Sequence, residues 1–114
     1  MKFGICYCYW SKDWEGTDYP QTIARARKCG FDVLEIFYGR LLDMAQTEVD
    51  EIKAACKEYD VELYCCGGFD KEHDLTQKDP AARAHAIEKA KEIIKAASRV
   101  GSRNFSGINY SQWC

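Results

Sequence analysis

Apolar and polar positions along the chain alternate between two periods, and each change of period marks an element. FGICYCY (residues 3–9) reads as a strand, and the polar loop SKDWEGTD follows it. YPQTIARARKCG then reads as a helix, with Asp18 as its cap, Pro20 in its first turn and Gly30 as its stop. FDVLEIFYG supplies a second strand over residues 32–37. Thr47 is placed to cap the helix EVDEIKAACKEY, where Val49, Ile52, Ala55 and Cys56 recur along one face. VELYCCGG gives a third strand over 61–66, and Asp79 with Pro80 opens the long helix AARAHAIEKAKEIIKAASRVG, which Gly101 closes. RNFSGIN is a fourth strand over 103–108, before the final YSQWC.

The order is β-α-β-α-β-α-β, and each helix is long enough to return the next strand in parallel. The fold class is therefore α/β, either an open doubly wound sheet or part of a barrel. A complete (β/α)₈ barrel needs about 250 residues. The 114 residues here supply half of one, a single partial domain over residues 1–114 with no internal boundary or repeat. A small flavodoxin-like domain is the competing architecture. It calls for a further strand and helix and for a phosphate-binding first loop, and SKDWEGTD matches no such fingerprint.

Composition narrows the function classes. Sixteen basic and eighteen acidic residues are interspersed, so no basic stripe is available to track phosphates, and nucleic acid is not an expected partner. No apolar run approaches the roughly 18 residues of a membrane span. The opening MKFGICYCYW has no cleavage site of a signal peptide, and the reading is cytoplasmic. Seven cysteines, an odd number at apolar positions without a C-x-x-C pair, argue against a disulfide framework. Cys6 and Cys8 share a strand face and could hold a metal with Cys65 or Cys66, but buried cysteine more often serves as a small hydrophobe.

In either architecture the ligand sits at the carboxyl ends of the strands. Those ends carry Tyr7, Tyr9, Trp10, Trp14, Glu35, Tyr38, Gly67, Gly68, Tyr110 and Trp113. Aromatic walls with few polar groups suit a small polyol, whose C–H faces pack on rings. Glu35 lies in a strand that should be buried, so its carboxylate needs a partner, and a structural or supporting role is expected. His73 and His85 read as solvated, and the charged residues of the helices as exposed faces.

MKFGICYCYWSKDW, GFDVLEI, CCGGF with D-L-T downstream and FSGINYSQW occur in this order from Met1 to about Trp113. In order and spacing they resemble the amino-terminal half of the D-tagatose 3-epimerase and D-psicose (allulose) 3-epimerase family, among the xylose-isomerase-like sugar isomerases. The opening G-I-x-Y-x-Y-W with Trp14 and the terminal S-x-W carry most of the likeness, while G-F-D-x-x-E is shared by more distant sugar isomerases. The resemblance implies a metal-dependent TIM barrel that moves a proton at C3 of a free ketohexose. It implies a divalent cation, manganese first and magnesium or cobalt as alternatives, held by residues of later strands. On that reading this chain binds no metal, carries no catalytic carboxylate and is inactive alone.

The resemblance places four substrate-facing positions in this chain: Cys6, Trp14, Gly68 and Trp113. Cys6 stands where the family has a substrate-contacting tyrosine. Cys66, Gly67 and Phe69 around Gly68 differ from the usual pattern, as do Ser106, Ile108 and Asn109 from the common G-G-A-L. These departures touch the ketose preference first. Another sugar isomerase of the same superfamily is one alternative. A stand-alone half-barrel module is the other, since a half barrel leaves two strand edges open and should self-associate or bind a complementary half.

Overall fold

The computed structural model describes residues 1–13 and 17–112 of the chain. Four strands form one sheet: β1 (Gly4–Cys6), β2 (Val33–Phe37), β3 (Glu62–Phe69) and β4 (Phe105–Gln112). They lie in the spatial order β1-β2-β3-β4, every pair parallel. A doubly wound sheet reverses its strand order part-way, and this one does not. The sheet is wound in a single direction, as in a barrel.

Three helices make the crossovers: α1 (Tyr19–Lys28), α2 (Gln46–Tyr59) and α3 (Pro80–Arg99). All three contribute to one core against one face of the sheet. Ile23 and Ala26 of α1, Val49 and Ile52 of α2, and Ala96 and Ala97 of α3 meet Leu34, Ile36, Leu63 and Cys65 there. The opposite, inner face carries the alternate positions of the strands, among them Cys6, Glu35, Tyr64, Cys66 and Ser106.

The local signals explain most boundaries. The Gln21 N–H donates to Asp18 Oδ1 at 2.9 Å and the Ala82 N–H to Asp79 Oδ2 at 2.9 Å, so both expected aspartate caps are present. Gly30 and Gly101 follow their helices at φ of 86° and 84°, the left-handed geometry that glycine adopts without a Cβ penalty. Two expectations are corrected. Thr47 lies inside α2, whose cap is Ala45; with no side-chain oxygen there, Glu48 reaches back to accept from the Ala45 N–H at 3.3 Å. The first strand ends at Cys6 rather than residue 9, because the Trp10 and Ser11 N–H groups both donate to the Tyr7 carbonyl and curl Tyr7–Tyr9 into a 3-10 turn.

β3 and β4 approach closely through glycine. At Gly107, with φ of 106°, a Cβ would lie 2.2 Å from the Gly67 carbonyl oxygen, and at Gly67 a Cβ would lie 2.1 Å from the Tyr38 ring. Beyond this contact the register shifts, since Gly68 pairs with Ile108 but Phe69 pairs with Gln112. The Gly107→Ala variant should therefore lose at least about 2 kcal/mol in urea denaturation. Gly30→Ala, with nothing within 4 Å of its Cβ, should lose only about 1 kcal/mol. Equal losses would show that the β3–β4 approach does not require glycine.

Candidate functional site

At the carboxyl ends of β2, β3 and β4 the inner face opens into a cavity of about 680 Å³, lined by Glu35, Phe37, Cys66, Gly67, Gly68, Phe69, Asp70, Gly107 and Ile108. A hollow of about 710 Å³ lies at the other end of the strands, among Lys53, Lys57, Glu62 and Arg103. The first is the candidate, because the carboxyl ends of a parallel sheet are where loops converge on a ligand. Its lining is apolar except for two carboxylates, and its glycines bring backbone to the surface.

Parallel pairing assembles the polar part of the site. Cys6 is paired with Glu35, Glu35 with Tyr64, and Cys66 with Ser106. Ser106 Oγ donates to Glu35 Oε1 at 2.8 Å, which supplies the half-buried carboxylate with the partner the sequence demanded. A thiol hydrogen of Cys8 points at Cys6 Sγ, 3.0 Å away. One potential ligand atom from each of Cys6, Glu35 and Cys66 lies within 4.8 Å of the other two.

These thiols are held protonated. Burial first, then the Cys8 thiol, pushes Cys6 up to about 11, and burial followed by the Glu35 charge raises Cys66 further. Burial alone lifts Cys56, on the helix side, to about 11. At Asp70, burial opposes ionisation, but the His73 backbone N–H and imidazole outweigh it and the carboxyl lies below its usual range. His73 is thus paired, Nδ1 to Asp70 Oδ1 at 2.7 Å, and its ring is 5.8 Å from that of His85. The solvated reading of His73 is corrected accordingly.

The other sequence candidates divide. Cys6, Glu35 and Gly68 are together on the inner face, while Trp14 and Trp113 lie outside the described residues. Tyr7 is fully buried with its ring 6.0 Å from Tyr19, and so belongs to the core and not to a ligand wall. Trp10 packs edge-on to Phe31 and under the Arg25 guanidinium at 4.7 Å, on the flank of α1. Tyr38 donates its hydroxyl to the Gly68 carbonyl at 3.1 Å, fixing the cavity's floor. Ser106 and Asp70 were missed as contributors, and the signal for Ser106 was its register opposite Cys66.

The chain matches the xylose isomerase-like TIM barrel family over residues 23–111. It belongs to that family. It is 32% identical to the D-psicose 3-epimerase of Ruminiclostridium cellulolyticum over 113 residues, which are 99% of this chain and 38% of that protein. Identity to the D-psicose 3-epimerase of Agrobacterium fabrum is 26%, over 99% of this chain and 39% of that protein. A solved D-psicose 3-epimerase from Clostridium cellulolyticum, with D-tagatose, superposes with a TM-score of 0.90 at 32% identity, over 99% of this chain and 39% of that one. The chain thus spans under two fifths of the length of the relatives it matches. The α/β reading as half of a TIM barrel agrees with these likenesses in fold and family. Among the described residues no helix is long and apolar enough to cross a membrane.

Raised thiol pKa values make a signed prediction. The folded chain retains the protons of Cys6 and Cys56 up to about 11, whereas unfolded cysteine releases them near 9.0. Their contribution is whole below pH 9 and should decline as pH rises towards 11, visible as a falling urea midpoint. At pH 8, iodoacetamide should label the exposed Cys8 and Cys29 well before Cys56 and Cys66 in a peptide-mass time course. Simultaneous labelling would contradict the shielding.

Proposed function

We propose that this chain forms the sugar-facing wall of a ketose 3-epimerase, the amino-terminal half of a barrel that moves a proton at C3 of a free ketohexose. The observation that carries the reading is the match, 99% of this chain at 32% identity, to D-psicose 3-epimerases in both sequence and fold. In this assignment Cys6, Trp14, Gly68 and Trp113 contact the sugar. The tryptophans pack on its C–H faces, and the Gly68 backbone allows close approach. Cys6 presents a small thiol and leaves room that a larger side chain would fill. Glu35, held by Ser106, positions the inner face and does not itself react.

Manganese, or magnesium or cobalt, would supply Lewis-acid polarisation of the substrate oxygens in a complete barrel. The donors on the inner face are one carboxylate and two thiols, a soft set poorly matched to manganese or magnesium, which prefer oxygen. No step is therefore assigned to a metal on this chain, and it should not turn over D-fructose or D-tagatose with manganese.

The open sheet also supports a second reading, a half barrel that pairs with itself or with a complementary half. Among the described residues β1 and β4 are edge strands, and Ile87 and Ile94, seven apart on α3, are 42% and 55% exposed. Light scattering would register this as a concentration-dependent dimer.

A chimera decides the first reading. Residues 1–113 should replace the matching segment of the Ruminiclostridium enzyme, and the folded product should interconvert D-fructose and D-psicose. Trp14→Ala in that chimera should raise KM about tenfold, the equivalent of about 1.4 kcal/mol of lost ring contact. A folded chimera without epimerisation would sink the assignment.

A further inference from the structure

We propose that Cys6, Glu35 and Cys66 form a binding site for one thiophilic divalent cation of the zinc type on the inner face of the sheet. Each side chain comes from a different strand, β1, β2 and β3, so the site exists only when three strands are in register. Their ligand atoms lie within 4.8 Å of one another. Two sulfurs on a tetrahedral zinc are about 3.8 Å apart, given Zn–S bonds of about 2.3 Å. A sulfur and a carboxylate oxygen on the same zinc are about 3.5 Å apart, so closing the site asks each pair to approach by about 1.3 Å or less, within the reach of χ1 rotation.

Three further features fit a cation here. Ser106 Oγ donates to Glu35 Oε1 at 2.8 Å, which fixes the carboxylate and leaves its second oxygen for a metal. Glu35 and Cys66 line the large cavity, while Cys6 and Glu35 line a smaller one of about 310 Å³, so the cluster is open to solvent from both sides and water can take the fourth position. Lys2, which lines the smaller cavity, gives its ammonium to Glu62 and does not neutralise Glu35.

The chemistry of loading is balanced. One dication replaces two thiol protons, which leave to solvent, and two thiolates with one carboxylate leave the occupied site with a net charge of −1. Two sulfur donors favour a soft or borderline cation over magnesium or calcium, which compete poorly for sulfur. The site shares Cys6 and its cavity with the epimerase reading, but its test needs no substrate and no residue outside this chain, so the failure of one is told apart from the failure of the other.

The test uses the reduced chain, kept in a phosphine reductant, titrated with cobalt(II) as a spectroscopic substitute for zinc. Thiolate-to-cobalt charge transfer in the near ultraviolet and tetrahedral d–d bands in the visible are expected at one equivalent, both abolished by zinc. Cys6→Ser and Cys66→Ser should each weaken zinc at least about a hundredfold in equilibrium dialysis, and Glu35→Gln about tenfold. The exposed Cys29→Ser variant should change nothing, and circular dichroism should show all four variants folded. Absence of the charge-transfer band would overturn the site. A band that survives Cys66→Ser would do the same, since it would belong to Cys6 and Cys8 alone. Because circular dichroism reads the fold of each variant separately, a variant that merely unfolds is told apart from one that loses its metal.

Discussion

The inner face depends on one constraint, the parallel register of neighbouring strands. Side chains alternate across a strand, so a slip of one residue between β1 and β2 would turn Glu35 away from Cys6 and into the helix-packed core. That slip is opposed by Leu34 and Ile36, both fully buried against the helices. The apolar face thus sets the position of the polar one. A carboxylate and two thiols meet at the inner face because aliphatic side chains cannot leave the other.

Much of this arrangement was legible in the sequence because it rests on local chemistry. Asp18, Asp79, Gly30 and Gly101 announce helix ends through hydrogen bonds and φ angles that depend on a few adjacent residues. The start of β1 was equally clear, but its end was not, since a run of Tyr and Cys has no polar residue to mark where Tyr7 turns inward onto Tyr19. Thr47 looked like a cap from its type alone, and the true boundary depends on Glu48 folding back on a backbone amide. The site was half visible. Glu35 and Cys6 stood out as residue types, whereas the Ser106 contact spans 71 positions and follows from the pairing of two intervening strands.

The polar chemistry of this face is soft and sparsely charged. Burial keeps the thiols neutral, and Glu35 is buffered by a hydroxyl and not by a cation. A surface of that kind does little by itself to polarise a substrate. It can shape a pocket, exclude water and present sulfur. The paired glycines Gly67 and Gly107 serve the same end, since they draw two strands and the Tyr38 ring together and leave the cavity floor smooth.

The sequential strand order has a consequence for how the chain is made. Each new strand pairs with the one synthesised just before it, and the connecting helix docks on a surface already in place. A chain leaving the ribosome can therefore assemble β1 to β4 in step with translation, each new strand finding a neighbour already in place. Contacts of that kind keep loop-closure costs low at each addition. At every stage one exposed seam is the latest strand, which the next unit covers, while the outer edge of β1 stays open through the addition of β4.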